Sequence, residues 1–148
     1  MAKTTQKTPQ QTGKQFEHYV ISRMLDANLD VYLPVVDDHG VDAVVKTPGG
    51  TWEEIQIKGC SRDKKYGNAA LFAEIKCDKA RPNYWFVFYA ERLDTLLLLS
   101  SKELTRLVNP GAKGKLVIKF NGKNKEKGEY ILEQYEKYIT TDFSRLCG

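Results

Sequence analysis

Residues 41–59, VDAVVKTPGGTWEEIQIKG, read as two β-strands folded back on each other. β-branched residues alternate with polar ones on both sides of a Pro/Gly turn at Pro48, Gly49 and Gly50. In the second strand, period two places Trp52, Glu54, Gln56 and Lys58 on one face and Glu53, Ile55 and Ile57 on the other. The Ile pair belongs in a core, so the opposite face carries a carboxylate, an amide and an ammonium in a row. A three-residue loop sets Asp42 directly opposite Gln56, with Cβ atoms about 5 Å apart. A two-residue loop would turn Asp42 over among Ile55 and Ile57, where an acid is costly to bury. The three-residue register is therefore expected.

These residues resemble the core of the PD-(D/E)xK nuclease superfamily, the restriction-endonuclease-like fold that includes archaeal Holliday junction resolvases. In that family an acid opens the second strand and the third carries (D/E)-x-K. Asp42 matches the first position, and Gln56-Ile57-Lys58 occupies the second as in the family's Gln-x-Lys variants. The Gly13-x-x-x-Glu17 pattern resembles the family's first-helix acid. The resemblance spans roughly residues 13–100. It implies an α/β domain with a central mixed β-sheet flanked by helices, and a metal-dependent endonuclease that hydrolyses phosphodiester bonds. The implied cofactor is Mg²⁺ or Mn²⁺. Its implied ligands are the Asp42 and Glu17 carboxylates, the Gln56 amide oxygen and the Ile57 carbonyl, with Lys58 orienting the attacking water and stabilising developing charge. The implied partner is nucleic acid, DNA ahead of RNA.

At 148 residues the chain suits a single domain able to bury a real core. A net charge of +4 permits an anionic partner without demanding one. Cys60, Cys77 and Cys147 have no CxxC spacing, so reduced thiols in a cytoplasmic protein are expected. The start MAKTT has no apolar core, so no secretory signal is expected, and the run Leu96 to Leu99 is too short to span a membrane.

Along the chain, residues 1–12 read as a flexible tail and 13–148 as one domain. A helix is expected from Thr12 or Gly13 to about Ala27, burying Phe16, Tyr19, Val20, Met24 and Leu25. Glu17 lies at the stripe's margin, where the helix dipole alone also favours an acid. A first strand spans about 31–36, with Pro34 suggesting an edge or a bulge. Asp37, Asp38, His39 and Gly40 form a turn that needs no metal to explain it. The loop after Lys58 carries Arg62, Lys64 and Lys65, cations placed to meet phosphates.

A literal Glu74-Ile75-Lys76 lies in a segment readable as strand or short helix. As a strand it would bury Leu71, Ala73, Ile75 and Cys77. It has no acid-bearing partner across a tight turn, so Gln56-x-Lys58 is preferred. Strands are expected at 84–90 and 95–99, a helix from Ser100 or Ser101 to Val108, and a strand at 115–120 followed by an Asn121-Gly122 turn. The basic run Lys119, Lys123, Lys125 and Lys127 reads as a solvated loop, with nucleic-acid contact as the alternative. Ile131 to Leu146 reads as an amphipathic helix whose aromatics serve the core or a homodimer contact. Two rival readings remain: a nuclease-like module that binds without cutting, and a protein-interaction domain in which Asp42 and Lys58 form a surface ion pair.

Overall fold

The computed structural model describes residues 6–36, 40–63, 69–77, 80–111 and 115–148. Helix α1 (Pro9–Asp26) starts earlier than expected because Thr8 caps it. The Thr8 hydroxyl accepts from the Gln11 N–H, the Gln11 side chain answers the Thr8 N–H, and Pro9 takes the first helical position. Phe16, Val20 and Met24 are buried as expected, whereas Leu25 is exposed.

Strands β1 (Asp30–Tyr32), β2 (Ala43–Lys46), β3 (Trp52–Cys60), β5 (Tyr84–Ala90) and β6 (Thr95–Ser100) form one sheet in the order β1-β2-β3-β5-β6. β3 and β5 are parallel and the other pairs antiparallel, so the sheet is mixed. A parallel pair needs a crossover, and this one runs through β4 (Leu71–Ile75). β1 is shorter than expected and ends before Pro34, at the sheet's edge.

α1 covers one face of the sheet, where Ile55, Ile57, Ala43 and Val45 meet Phe16, Val20 and Met24. Gly59 permits this approach: a Cβ there would fall 2.0 Å from the Phe16 ring. The other face carries more than the flanking helix expected there. A second sheet, β4-β8-β7, packs there, formed with β7 (Asn109–Pro110) and β8 (Leu116–Lys119). Helix α2 (Ser101–Leu107) joins it through Leu104 and is capped by Ser100 as expected, in a capping box closed by Glu103.

β4 settles the strand-or-helix ambiguity but breaks its alternation. Glu74 takes φ 63° and the register with β8 shifts between Phe72 and Ile75. Phe72 and Ile75 therefore enter the core, while Ala73 is exposed.

Two further expectations fail. Asn121-Gly122 opens β9 (Asn121–Asn124), which pairs with β10 (Gly128–Ile131) as a hairpin. After β10 the chain makes short 3-10 turns at Glu133–Tyr138 and Ser144–Cys147 instead of one helix. Ile139 bridges Leu97 on the β6 edge, and Phe143 takes φ 57°, which no continuous helix allows. Tyr138, Phe143 and Leu146 are core residues. Among the described residues no helix is long and apolar enough to cross a membrane.

Candidate active site

β2 and β3 pair in the register expected for a three-residue loop, Ala43 facing Ile55 and Lys46 facing Trp52. The ladder ends at Ala43, however, and Asp42 just outside β2 shares Ile55 instead of facing Gln56. The Asp42 N–H donates to the Ile55 carbonyl at 2.8 Å. Its carboxylate Oδ2 accepts the Ile57 N–H at 2.7 Å, a charge-assisted bond that draws the acid onto the middle of β3. Ile57 sits in the α1-side core, so Gln56 and Lys58 on either side of it face the other way. The acid is thus pinned to the residue between amide and ammonium.

Gln56 is buried, and the Tyr84 hydroxyl donates to its Oε1 at 2.7 Å, with the Gly40 carbonyl also 3.1 Å from that hydroxyl. Burial pushes the Tyr84 pKa up to about 12, against the opposing pull of Arg81, so the phenol remains a donor at neutral pH. Sequence reading missed Tyr84, which appeared there only as the first residue of an apolar strand. The usable signal was its polar handle, since a buried tyrosine hydroxyl needs a partner.

Beside this cluster lies an open groove of about 1140 Å³ between α1, the end of β3 and β4. Glu17, Ile57, Lys58 and Arg62 line it, while Asp42 and Gln56 do not. The anticipated residues therefore form two adjoining groups, with Ile57 common to both. Glu17 is partly buried and its Oε2 lies 2.9 Å from Lys14 Nζ.

Arg62 leans on Glu91, which accepts both its Nε at 3.2 Å and its N–H at 3.1 Å. Lys64, Lys65, Asp37, Asp38 and His39 lie outside the described residues. Glu74, from the rejected Glu-x-Lys, also lines the groove and pairs with Lys115 at 2.7 Å. That bond, with smaller help from Lys58, holds its carboxyl below the usual range.

Among the described residues no three His, Cys, Asp or Glu side chains gather to hold a metal ion. The oxygen-bearing residues anticipated are divided between the two groups, Asp42 and Gln56 in one and Glu17 in the other, with Ile57 in both.

No protein-family model and no curated protein matches the sequence. Solved structures do match. The bacterial homing endonuclease I-Ssp6803I superposes with a TM-score of 0.67 at 16% identity, over 95% of this chain and 94% of its own. The Holliday junction resolvase Hjc of Archaeoglobus fulgidus superposes with a TM-score of 0.51 at 9% identity, over 91% of this chain and 95% of its own. At such identities the likeness speaks for the backbone alone, and it extends over nearly the whole of it. With its mixed five-stranded sheet and its α1 layer, the chain has the restriction-endonuclease-like fold of these nucleases.

Proposed function

We propose that this protein is a metal-dependent endonuclease that hydrolyses phosphodiester bonds in DNA, with Asp42, Glu17, Gln56, Ile57 and Lys58 as its site. The carrying observation is the Asp42–Ile57 bond, which holds a carboxylate against the β3 segment that presents Gln56 and Lys58. The nuclease names of the two structural neighbours support the reaction class, and a resolvase of Holliday junctions supports DNA as substrate.

The oxygen-only donor set suits a hard cation such as Mg²⁺ or Mn²⁺, which needs few carboxylates and retains several waters. Asp42 and Glu17 would supply the charge, and the Gln56 amide and Ile57 carbonyl two neutral oxygens. A bound divalent ion polarises the phosphoryl group and acidifies water. The chain's own contributions are separate from that. Ile57 fixes the Asp42 carboxylate through its N–H, and Tyr84 fixes the Gln56 oxygen through its hydroxyl. The Lys58 ammonium orients the attacking water and stabilises negative charge as it builds on the phosphoryl oxygens.

The rival reading, binding without cleavage, draws on one observation: the Gln56 oxygen is already engaged by Tyr84. The test is cleavage of mixed DNA and RNA substrates with Mg²⁺, Mn²⁺ or EDTA, by the protein and its Asp42→Asn variant. Metal-dependent cutting of DNA that disappears in the variant is expected. No cutting with either metal, and none after Gln56→Glu, would leave the binder as the better account.

A further inference from the structure

We infer that the β9–β10 hairpin is a DNA-binding ribbon that enters the major groove of a B-form duplex beside the candidate active site. The inference rests on the nuclease reading above and says how the duplex is held. β9 pairs with β10 and with no other described strand, forming a sheet of its own. Residues 123–128 are all exposed, and three of the six are lysines: Lys123, Lys125 and Lys127. None of the six is a large apolar residue, so this tip has nothing to offer a hydrophobic partner. Of the two hairpin acids, Glu126 sits at the tip, and Glu129, opposite Lys123, is occupied by Arg92 at 2.8 Å. Cationic character dominates the projecting end.

The ribbon is built to hold its shape. The Lys127 N–H donates to Asn124 Oδ1 at 2.6 Å across the turn, and Gly128 takes φ 67°, which closes the tip. At the root, Asn121 Oδ1 accepts the Ala70 N–H at 3.1 Å, and the Leu132 N–H reaches the carbonyl of buried Phe120 at 2.8 Å. A lone two-stranded hairpin is marginal in water, and these anchors supply what it lacks. Arg92 also ties the ribbon to the site: besides Glu129 it reaches the carbonyl of Arg62, which lines the catalytic groove, at 3.5 Å.

Dimensions select the partner. The major groove of B-DNA is about 12 Å wide and 8.5 Å deep and admits a two-stranded β-ribbon. One rung exposed on both strands, Asn124 opposite Gly128, carries the turn of Lys125, Glu126 and Lys127 beyond it, and the lysine side chains extend this end further toward that depth. The major groove of A-form RNA is too deep and narrow for side chains to read. The geometry therefore favours duplex DNA over duplex RNA.

The test is binding of a labelled random-sequence DNA duplex, and of the matching RNA duplex, across a salt series in EDTA. The full chain is compared with a triple variant, Lys123→Ala, Lys125→Ala and Lys127→Ala, and with its Lys→Arg counterpart, which keeps the charge. The alanine variant should melt like the parent, bind DNA at least tenfold more weakly, and lose about 0.9 of the log–log salt slope per abolished phosphate contact. The arginine variant should bind as the parent does, and the parent should protect guanine N7 atoms, which lie in the major groove, from methylation. DNA binding unchanged by the alanine substitutions overturns the ribbon and leaves the nuclease reading standing. Equal dependence on the three lysines for RNA and DNA, or absence of N7 protection, overturns its major-groove placement. A parent that neither binds nor cuts nucleic acid overturns both.

Discussion

The Tyr84 hydroxyl and the Gln56 amide oxygen are 2.7 Å apart, joined across neighbouring parallel strands. Removing the hydroxyl leaves a buried oxygen without this donor. Tyr84→Phe should therefore lose about 1–3 kcal/mol in denaturant unfolding. Should Gln56 serve a cation, the same change releases its oxygen, so titration calorimetry with Mn²⁺ should show tighter binding in the variant.

The same phenol sets an alkaline limit. Its pKa is raised by burial from 10.0 to about 12, so the folded state holds this proton more tightly than the unfolded chain does. The stability linked to it is complete below pH 10 and is lost as pH rises from 10 through 12. Tyr89, whose pKa is also raised, by burial and by its bonds to Tyr19 and Asp94, acts in the same direction. Comparing unfolding of the parent and Tyr84→Phe across that window isolates Tyr84: the variant should show the shallower decline.

Three substitutions separate the roles proposed for the strand pair. Asp42→Asn keeps an acceptor for the Ile57 N–H while removing the charge, so it should fold normally and fail to cleave. Lys58→Ala should retain cation binding and lose about a hundredfold in turnover, the scale of one lost transition-state donor. Gln56→Glu should tighten cation binding, by adding charge where only an amide now stands. Single-turnover cleavage together with calorimetry reads all three.

Arg145 fastens the C-terminal end of the chain to the core. Its Nη2 lies 2.6 Å from both Glu103 oxygens, and its Nη1 donates to the Leu98 carbonyl at 2.6 Å. Burial would raise the Glu103 pKa, but the bonds from Arg145 and Ser100 outweigh it and hold the carboxyl below its ordinary 4.5. That stability is complete above the ordinary range and lost as pH falls through the lowered value. The pair is partly solvated, so Arg145→Ala should cost about 1–2 kcal/mol at neutral pH, with a smaller loss in acid.

The sheet was legible because its strands alternate or run continuously apolar between strong turn signals. The register from Ala43 opposite Ile55 to Lys46 opposite Trp52 followed from the Pro48-Gly49-Gly50 loop alone, while the departure at Asp42, whose N–H goes to Ile55, did not. What escaped was written in long-range partners. Ile131 to Leu146 carries helical spacing, yet Ile139 pairs with Leu97, a contact no local pattern announces. The irregularity at Glu74 depends on β8, more than forty residues away (Ile75 faces Leu116). In the site, the strand positions were readable, but Tyr84 and the groove wall from α1 depend on which elements the fold stacks together.

Gly59 gives the site an unusual kind of control. Glu17 follows Phe16 and Lys58 precedes Gly59, and the Phe16 ring occupies the very space a methyl group at position 59 would need. The gap between helix and sheet is thus gauged by a single hydrogen atom. With Glu17 and the end of β3 holding the proposed cation, its size would become a matter of packing: Mg²⁺ takes oxygens at about 2.0–2.1 Å and Ca²⁺ at about 2.3–2.6 Å, a margin smaller than one methyl. Gly59→Ala should lift α1 outward, cost about 1–3 kcal/mol through overpacking, and shift cation preference toward larger ions in competition calorimetry. Selectivity among metals would then be written at a residue with no side chain to offer a ligand.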